Sequence, residues 1–245
     1  EHPELDAILD ISKTGLDYIK REENVLCIGS CTIYRDIITS KEIERDFTAL
    51  WEASKDLADM TIRNIATVGG NICSAVPSGD SIPPMLAFNA EFVLVSRGKE
   101  RLVKATEFFL GPRKTVLESD ELLREIRIPI VPGHCGSAFE KIARNSVDLA
   151  NANVAVFIRR SDSGLVEEGR IALGAVAPTV VRATACERVL MGKKPEGKIL
   201  DEVCDKIAEA ISPITNIRCT KEYRREALNV LVKRAILRAY DGAAV

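Results

Sequence analysis

A proline- and glycine-rich stretch at residues 128–136 (Ile-Pro-Ile-Val-Pro-Gly-His-Cys-Gly) divides the chain into two parts of different character. Before it, short apolar runs at residues 25–28, 92–95 and 125–128 predict strands, and one amphipathic segment, residues 41–58, predicts a long helix that begins with a Thr39-x-x-Glu42 capping box. After it, alternating segments at 153–159 and 170–176 around a turn predict a β-hairpin.

Helical patterns dominate the end of the chain, at residues 183–191, 199–211 and 223–240. Residues 223–225 (Tyr-Arg-Arg) are interpreted as a solvent-exposed helix start, with a contact to another chain as the open alternative. A shorter helix is predicted at 81–88, with Asp80 as its N-cap. Strands paired by hairpins, with helices segregated after them, predict an α+β fold and not a parallel doubly wound sheet.

Composition excludes several classes of function. The chain has 245 residues and 46% hydrophobic content, enough for substantial cores. A net charge of -2 gives no basic footprint for nucleic acid, and no apolar run reaches the roughly 20 residues that span a bilayer. We therefore expect a cytoplasmic protein that binds neither nucleic acid nor membrane. Seven irregularly spaced cysteines and two histidines predict reduced thiols, no metal site and no catalytic side chain in this chain.

The segment Thr67-Val68-Gly69-Gly70-Asn71 carries the strongest local signal of a ligand site. Paired glycines can adopt positive φ and expose the main chain, while a hydroxyl and an amide flank them to bind phosphate or ribose oxygens. An ordinary glycine turn explains the same five residues. Asp80 likewise has two interpretations, as a helix cap or as an acceptor for a ribose hydroxyl or an adenine amine.

Ordered motifs around this segment resemble one family. They are Ile-Arg-Asn-Ile-Ala-Thr-Val-Gly-Gly-Asn-Ile at 62–72, Ile-Pro-Pro-Met-Leu-Ala at 82–87, Phe-Phe-Leu-Gly-Pro-Arg-Lys-Thr at 108–115, Glu-Leu-Leu at 121–123, and Gly-Ala-Val-Ala-Pro at 174–178. Over essentially its whole length the chain resembles the FAD-binding medium subunit of the molybdenum hydroxylases, a family that includes xanthine, carbon monoxide and nicotinate dehydrogenases.

The resemblance implies a fold and a cofactor. Residues 1–133 would form an FAD-binding domain of the PCMH type, and residues 134–245 a C-terminal domain of antiparallel sheet plus helices. Residues 67–71 would surround the FAD pyrophosphate, with Asp80 at the adenosine end. Leu123 and Lys141 would border the flavin ring, although Glu140 occupies the neighbouring slot. Leu57 would either face the flavin or pack in the core.

The resemblance also implies partners. Electrons would pass from a small [2Fe-2S] subunit to FAD and on to NAD or another acceptor, and a large molybdopterin subunit would hydroxylate the organic substrate, for instance in a dimer of heterotrimers.

The sequence departs from the family at its start. It begins with Glu1, residues 3–11 resemble the end of an element that leads into a strand, and the family's Ala-Gly-Gly-Thr-Asp-like loop, which grips the pyrophosphate from the other side, is not found. We expect about forty residues to be missing, which leaves open whether this chain holds FAD alone. Two other functions stay open: a free-standing FAD-dependent oxidoreductase, and an interaction module that has lost the flavin.

Overall fold

The computed structural model describes residues 7–244. Of the segment interpreted as leading into a strand, residues 3–6 lie outside the described part, and residues 7–11 are irregular. The described strands are β1 (Ile19–Glu22), β2 (Val25–Gly29), β3 (Glu91–Ser96), β4 (Lys99–Lys104), β5 (Phe109–Gly111), β6 (Lys114–Thr115), β7 (Leu122–Pro129), β8 (His134–Ile142), β9 (Ala152–Arg160), β10 (Val166–Gly174) and β11 (Val181–Arg182).

Helices cluster in the middle of the first part and at the end of the second. The described helices are α1 (Tyr34–Thr39), α2 (Lys41–Asp46), α3 (Thr48–Lys55), α4 (Met60–Arg63), α5 (Val68–Ser74), α6 (Ile82–Ala87), α7 (Ala105–Phe108), α8 (Thr184–Leu190), α9 (Lys198–Ile207) and α10 (Lys221–Gly242).

Two antiparallel sheets organise the chain. The first has the strand order β1-β2-β7-β3-β4, and the second has the order β11-β10-β9-β8. The turn between β7 and β8, residues 130–133, separates the sheets at the predicted proline- and glycine-rich stretch. The predicted α+β fold is confirmed, and so is the hairpin, which β9 and β10 form. A domain boundary between residues 133 and 134 stays a prediction.

The second sheet is covered on both faces. Successive side chains of β9 alternate: Val154, Val156 and Ile158 belong to one core, and Ala155 and Phe157 belong to the other. Helix α10 packs on β8 and β9 within the first of these cores, while α3 and α6 pack on the opposite face. The second sheet therefore ties the helices of the first part to those of the second.

The long helix predicted at residues 41–58 is wrong. It is interrupted at Phe47, whose backbone (φ -131°, ψ 47°) is not helical and whose buried ring packs edge-on against Phe88 at 5.5 Å. The capping box is wrong as well, because Ser40 is the N-cap of α2 and accepts from the amide of Ile43. Thr39 instead donates its hydroxyl to the carbonyl oxygen of Asp36.

None of the helices found in residues 7–244 is both long enough and apolar enough to cross a membrane.

Candidate functional site

A large cavity opens beside the N-terminal turn of α5, with a volume of about 1010 Å³, the size of a pocket for a cofactor. We call it the α5 cavity. Its lining residues are Ile8, Leu9, Asp10, Ile11, Ser12, Asp17, Ser30, Cys31, Ile33, Arg35, Asp36, Asn64, Ile65, Thr67, Gly69, Gly70, Cys73, Leu117, Glu121, Leu122 and Leu123. Thr67, Gly69, Gly70 and Leu123 of the predicted site therefore meet at one cavity.

The glycine segment is the first turn of a helix and not an open loop. Thr67 is the N-cap of α5, and its Oγ1 accepts from the amide of Gly70 at 3.1 Å. Val68 is fully buried, and its amide donates to the main-chain carbonyl of Thr32. The amides of Gly69 and Asn71 likewise donate to main-chain carbonyls, those of Ser30 and Thr67. The main-chain donors that the sequence offered to a pyrophosphate are thus already paired within the protein, and the free donors here are side chains.

Gly69 and Gly70 lack a side chain for different structural reasons. Neither has positive φ, contrary to the conformation that the sequence suggested. A Cβ on Gly69 would lie 2.5 Å from the Cβ and 2.6 Å from the carbonyl oxygen of Ser30, so the end of β2 and the start of α5 touch there. A Cβ on Gly70 would meet only the Thr67 hydroxyl, at 3.0 Å, and would otherwise face the cavity. Gly69 serves the fold, and Gly70 leaves room for a ligand.

Asn71 is oriented by side chains beneath it. Its Oδ1 accepts from Ser81 Oγ at 2.8 Å, and Ser81 Oγ accepts in turn from the hydroxyl of Tyr34 at 2.8 Å. Tyr34 and Ser81 are fully buried, whereas Asn71 is half-buried. Sequence reasoning missed Tyr34 and Ser81, because neither lies in the glycine segment.

Asp80 and Lys141 come together, but not at the α5 cavity. Lys141 Nζ lies 2.6 Å from Asp80 Oδ2, each side chain is 5% exposed, and Lys141 also donates to the carbonyl of Asp56. Asn153 Nδ2 donates to Asp80 Oδ1 at 2.9 Å. Asp80 is not the N-cap of α6, a position that Ser81 occupies. The pair joins the first part of the chain to strands β8 and β9, and the predicted FAD contacts of both residues stay predictions.

Burial raises the pKa of Asp80 from its ordinary value of 3.8 to about 6, although Lys141 and Asn153 oppose the rise. The folded protein then retains a proton that the unfolded chain has already released. The contribution of Asp80 to stability is therefore fully present below about pH 4 and is lost as the pH rises to about 6.

We expect the free energy of unfolding of the wild type to fall, relative to that of Asp80→Asn, as the pH rises from 4 to 6. Urea unfolding at pH 4, 5, 6 and 7 measures it. A difference that stays constant over this range would contradict the raised pKa.

The remaining walls of the α5 cavity combine apolar surface with polar groups. Leu123 is 4% exposed and supplies apolar wall at the start of β7. Ser30, just after β2, has a buried hydroxyl without a hydrogen-bond partner among the described residues. Arg35 is the only basic residue among those lining the cavity. Burial raises the pKa of the Cys73 thiol to about 11, so it is protonated and not nucleophilic at neutral pH.

Nearby residues of the predicted site region have structural roles. Leu57 is 7% exposed and belongs to the core of the first part. Arg63 donates to the carbonyl oxygens of Lys55, Leu57 and Ala58, and so holds the turn after α3. Leu57 is not among the residues that line the α5 cavity.

Arg224 corrects the expectation of a solvent-exposed helix start at residues 223–225. It is 3% exposed, and its guanidinium donates to the carbonyl oxygens of Asn151, Ala175 and Ile214 and to Asn216 Oδ1. It thereby fixes three connecting segments around a second cavity of about 300 Å³, which it also lines. Nothing in the sequence distinguishes this arginine from its exposed neighbour Arg225.

Comparisons with known proteins agree with both parts of the chain. Residues 1–131 match the family described as the FAD binding domain in molybdopterin dehydrogenase, and residues 137–239 match the CO dehydrogenase flavoprotein C-terminal domain. The glyceraldehyde dehydrogenase medium chain of Sulfolobus acidocaldarius is 32% identical over 231 residues, which cover 94% of this chain and 82% of that protein.

Carbon monoxide dehydrogenase gives a second relative and a solved structure. Its medium chain from Hydrogenophaga pseudoflava is 34% identical over 234 residues, covering 95% of this chain and 81% of that one. A structure of the enzyme from the same organism, in a form that lacks the Mo-pyranopterin moiety of the molybdenum cofactor, superposes with a TM-score of 0.89 at 36% identity, over 94% of this chain and 79% of that chain. The fold and the sequence therefore point to the same relatives.

Proposed function

This chain belongs to the family of FAD-binding subunits of the molybdenum hydroxylases, and from that premise we propose that it carries electrons through FAD from the iron–sulfur clusters of a partner subunit to NAD or another acceptor. It is the flavoprotein component of an oxidoreductase, and FAD is its cofactor. In this family the molybdopterin and the iron–sulfur clusters are carried by partner subunits. The observation that carries the proposal is the α5 cavity, with Thr67, Gly70 and Leu123 in its wall.

The residues present fit a dinucleotide. A Cβ at Gly70 would occupy space that the glycine leaves open at the cavity wall. The buried hydroxyl of Ser30, which also lines the cavity, has no hydrogen-bond partner among the described residues. Arg35 offers positive charge to a phosphate, while Asp10, Asp17 and Asp36 offer acceptors to ribose hydroxyls. We therefore propose that Thr67, Gly69, Gly70, Asn71 and Leu123 contact FAD. The FAD contacts predicted for Val68, Asp80 and Lys141 stay predictions, and the last two residues form a buried ion pair that does not line the α5 cavity.

The protein's part in the chemistry is binding and orientation. FAD, when bound, exchanges electrons singly or in pairs and so links one-electron clusters to a two-electron acceptor. Thr67 and Asn71 would donate hydrogen bonds to phosphate or ribose oxygens, and Leu123 would keep water from one side of the cofactor. No side chain needs to act as a nucleophile or proton donor in such a transfer.

The proposed partners are a small [2Fe-2S] subunit and a large molybdopterin subunit, assembled for instance as a dimer of heterotrimers. The medium chains that this protein matches are named as components of larger enzymes, which supports the proposal. Copurification from the native host tests it. A protein that purifies with FAD but never with such subunits would favour a free-standing oxidoreductase. The proposed location of the protein in the cytoplasm is tested separately, by fractionation of the same cells.

We expect the complete protein to show flavin absorption bands near about 370 and 450 nm, either as purified or after FAD is added and the excess removed. Release of the same bands into the filtrate after denaturation is the control for bound cofactor. Absence of the bands under both conditions would contradict the proposed function and would favour an interaction module that has lost the flavin.

A further inference from the structure

A chain of three polar side chains runs from the core to Asn71, the residue that follows Gly70 of the α5 cavity. The hydroxyl of Tyr34, in α1, donates to Ser81 Oγ at 2.8 Å, and Ser81 Oγ donates to Asn71 Oδ1 at 2.8 Å. Tyr34 and Ser81 have no exposed surface, so water cannot replace either bond. The chain joins residues that are 47 and 10 positions apart in the sequence.

The direction of this chain is fixed at its buried end. Among the described residues, Ser81 Oγ is the one hydrogen-bond partner of the Tyr34 hydroxyl. Burial raises the pKa of that hydroxyl further above its ordinary value, so it keeps its hydrogen. If Tyr34 accepted from Ser81 instead, its own hydrogen would be buried without an acceptor, which is costly. Tyr34 must therefore donate, and Ser81 must pass its own hydrogen on to Asn71.

This direction decides which end of the Asn71 carboxamide is held by the protein and which end is left without a partner among the described residues. The oxygen end is held by Ser81 and is closed in by Gly79, where a Cβ would lie 3.2 Å from Asn71 Oδ1. The amino end makes no hydrogen bond to the described residues and belongs to a half-buried side chain. Since the main-chain amides of residues 68–71 are already paired, the Asn71 amino group is one of the few donors left at this site.

We propose that Tyr34 and Ser81 are positioning residues for FAD, which fix the Asn71 carboxamide with its amino group toward a phosphate or ribose oxygen of the cofactor. This inference rests on the proposed function, because it assigns a role toward FAD. It adds two buried residues that do not touch the cofactor themselves.

Tyr34→Phe removes the hydroxyl that sets the direction and keeps the ring in the core. Ser81 Oγ then loses the donor that directs its own hydrogen toward Asn71, so the carboxamide is held less firmly, and we expect the affinity for FAD to fall about fivefold. Quenching of FAD fluorescence during titration of the complete, deflavinated protein measures the dissociation constant. Tyr240→Phe is the matched control, since its hydroxyl donates to the carbonyl of Gly164 away from the cavity, and it should bind FAD as the wild type does.

The double variant Tyr34→Phe/Asn71→Ala separates positioning from a general loss of packing. Asn71→Ala should weaken FAD binding about tenfold, and Tyr34→Phe should add nothing to that loss, because no carboxamide remains to be oriented. An equal fivefold loss from Tyr34→Phe in both backgrounds would overturn the inference. So would an unchanged affinity in the Tyr34→Phe single variant.

Asn71→Asp tests the donor directly and does not depend on the tyrosine variant folding. The carboxylate keeps an acceptor for Ser81 but has no amino group, so we expect it to bind FAD at least as weakly as Asn71→Ala. Binding equal to the wild type would overturn the inference. If the wild-type protein itself takes up no FAD, the proposed function fails; if it binds FAD and these variants do not differ from it, only the positioning role fails.

Discussion

Lys141→Met should lower the free energy of unfolding by about 3 to 5 kcal/mol at pH 7, because it leaves Asp80 buried without its cation. Asp80 and Lys141 lie 2.6 Å apart with 5% of each side chain exposed, so solvent cannot take over the solvation of the remaining charge. The loss should be large even without FAD, since the pair joins the end of β8 to the segment before α6. Urea unfolding of the deflavinated protein measures it.

A surface pair provides the matched control. Lys41 and Glu44 lie 2.7 Å apart in α2, but the side chain of Lys41 is 89% exposed. Lys41→Met should therefore change the free energy of unfolding by less than about 0.5 kcal/mol. The double variant Asp80→Asn/Lys141→Met should regain part of the loss of Lys141→Met. Equal effects of the buried and the exposed lysine variants would show that the Asp80–Lys141 pair does not hold the two parts together.

Gly69→Ala should destabilise the protein by about 3 kcal/mol, whereas Gly70→Ala should change its stability by less than about 1 kcal/mol. The added Cβ at Gly69 meets the main chain of Ser30, which cannot move without displacing the end of β2. At Gly70 the neighbour within 4 Å is the Thr67 hydroxyl. Thermal unfolding of the two variants in the absence of FAD gives this comparison directly.

Gly70→Val tests whether FAD occupies the free space beside α5. Its side chain would extend into the α5 cavity, and we expect it to weaken FAD binding by more than tenfold while the unfolding temperature stays close to that of Gly70→Ala. Unchanged FAD affinity in Gly70→Val would mean that the cofactor does not approach α5 at this point. Equal stability of the two alanine variants would contradict the contact assigned to Gly69.

Local patterns predicted the elements whose partners are near in sequence. The hairpin of β9 and β10 was predicted from alternation around a turn, and α10 was predicted from its apolar spacing, because both signals lie within one segment. The helix predicted over residues 41–58 failed where a contact with Phe88, 41 positions away, outweighed the local preference at Phe47. The short strands β1 and β4 and the longer β8 were not predicted.

The candidate site also combines features predicted from local sequence with features set by contacts between distant segments. The sequence alone predicted a ligand-binding segment at residues 67–71, and its ordered motifs indicated an FAD subunit, because side-chain type and spacing are properties of the chain itself. Only the tertiary structure decided which groups of that segment remain free to bind. Ser30 at the end of β2 closes on Gly69, Tyr34 and Ser81 orient Asn71, and Lys141 from β8 reaches Asp80. Each of these contacts joins segments distant in sequence, so its geometry exists only after the sheets and helices have packed.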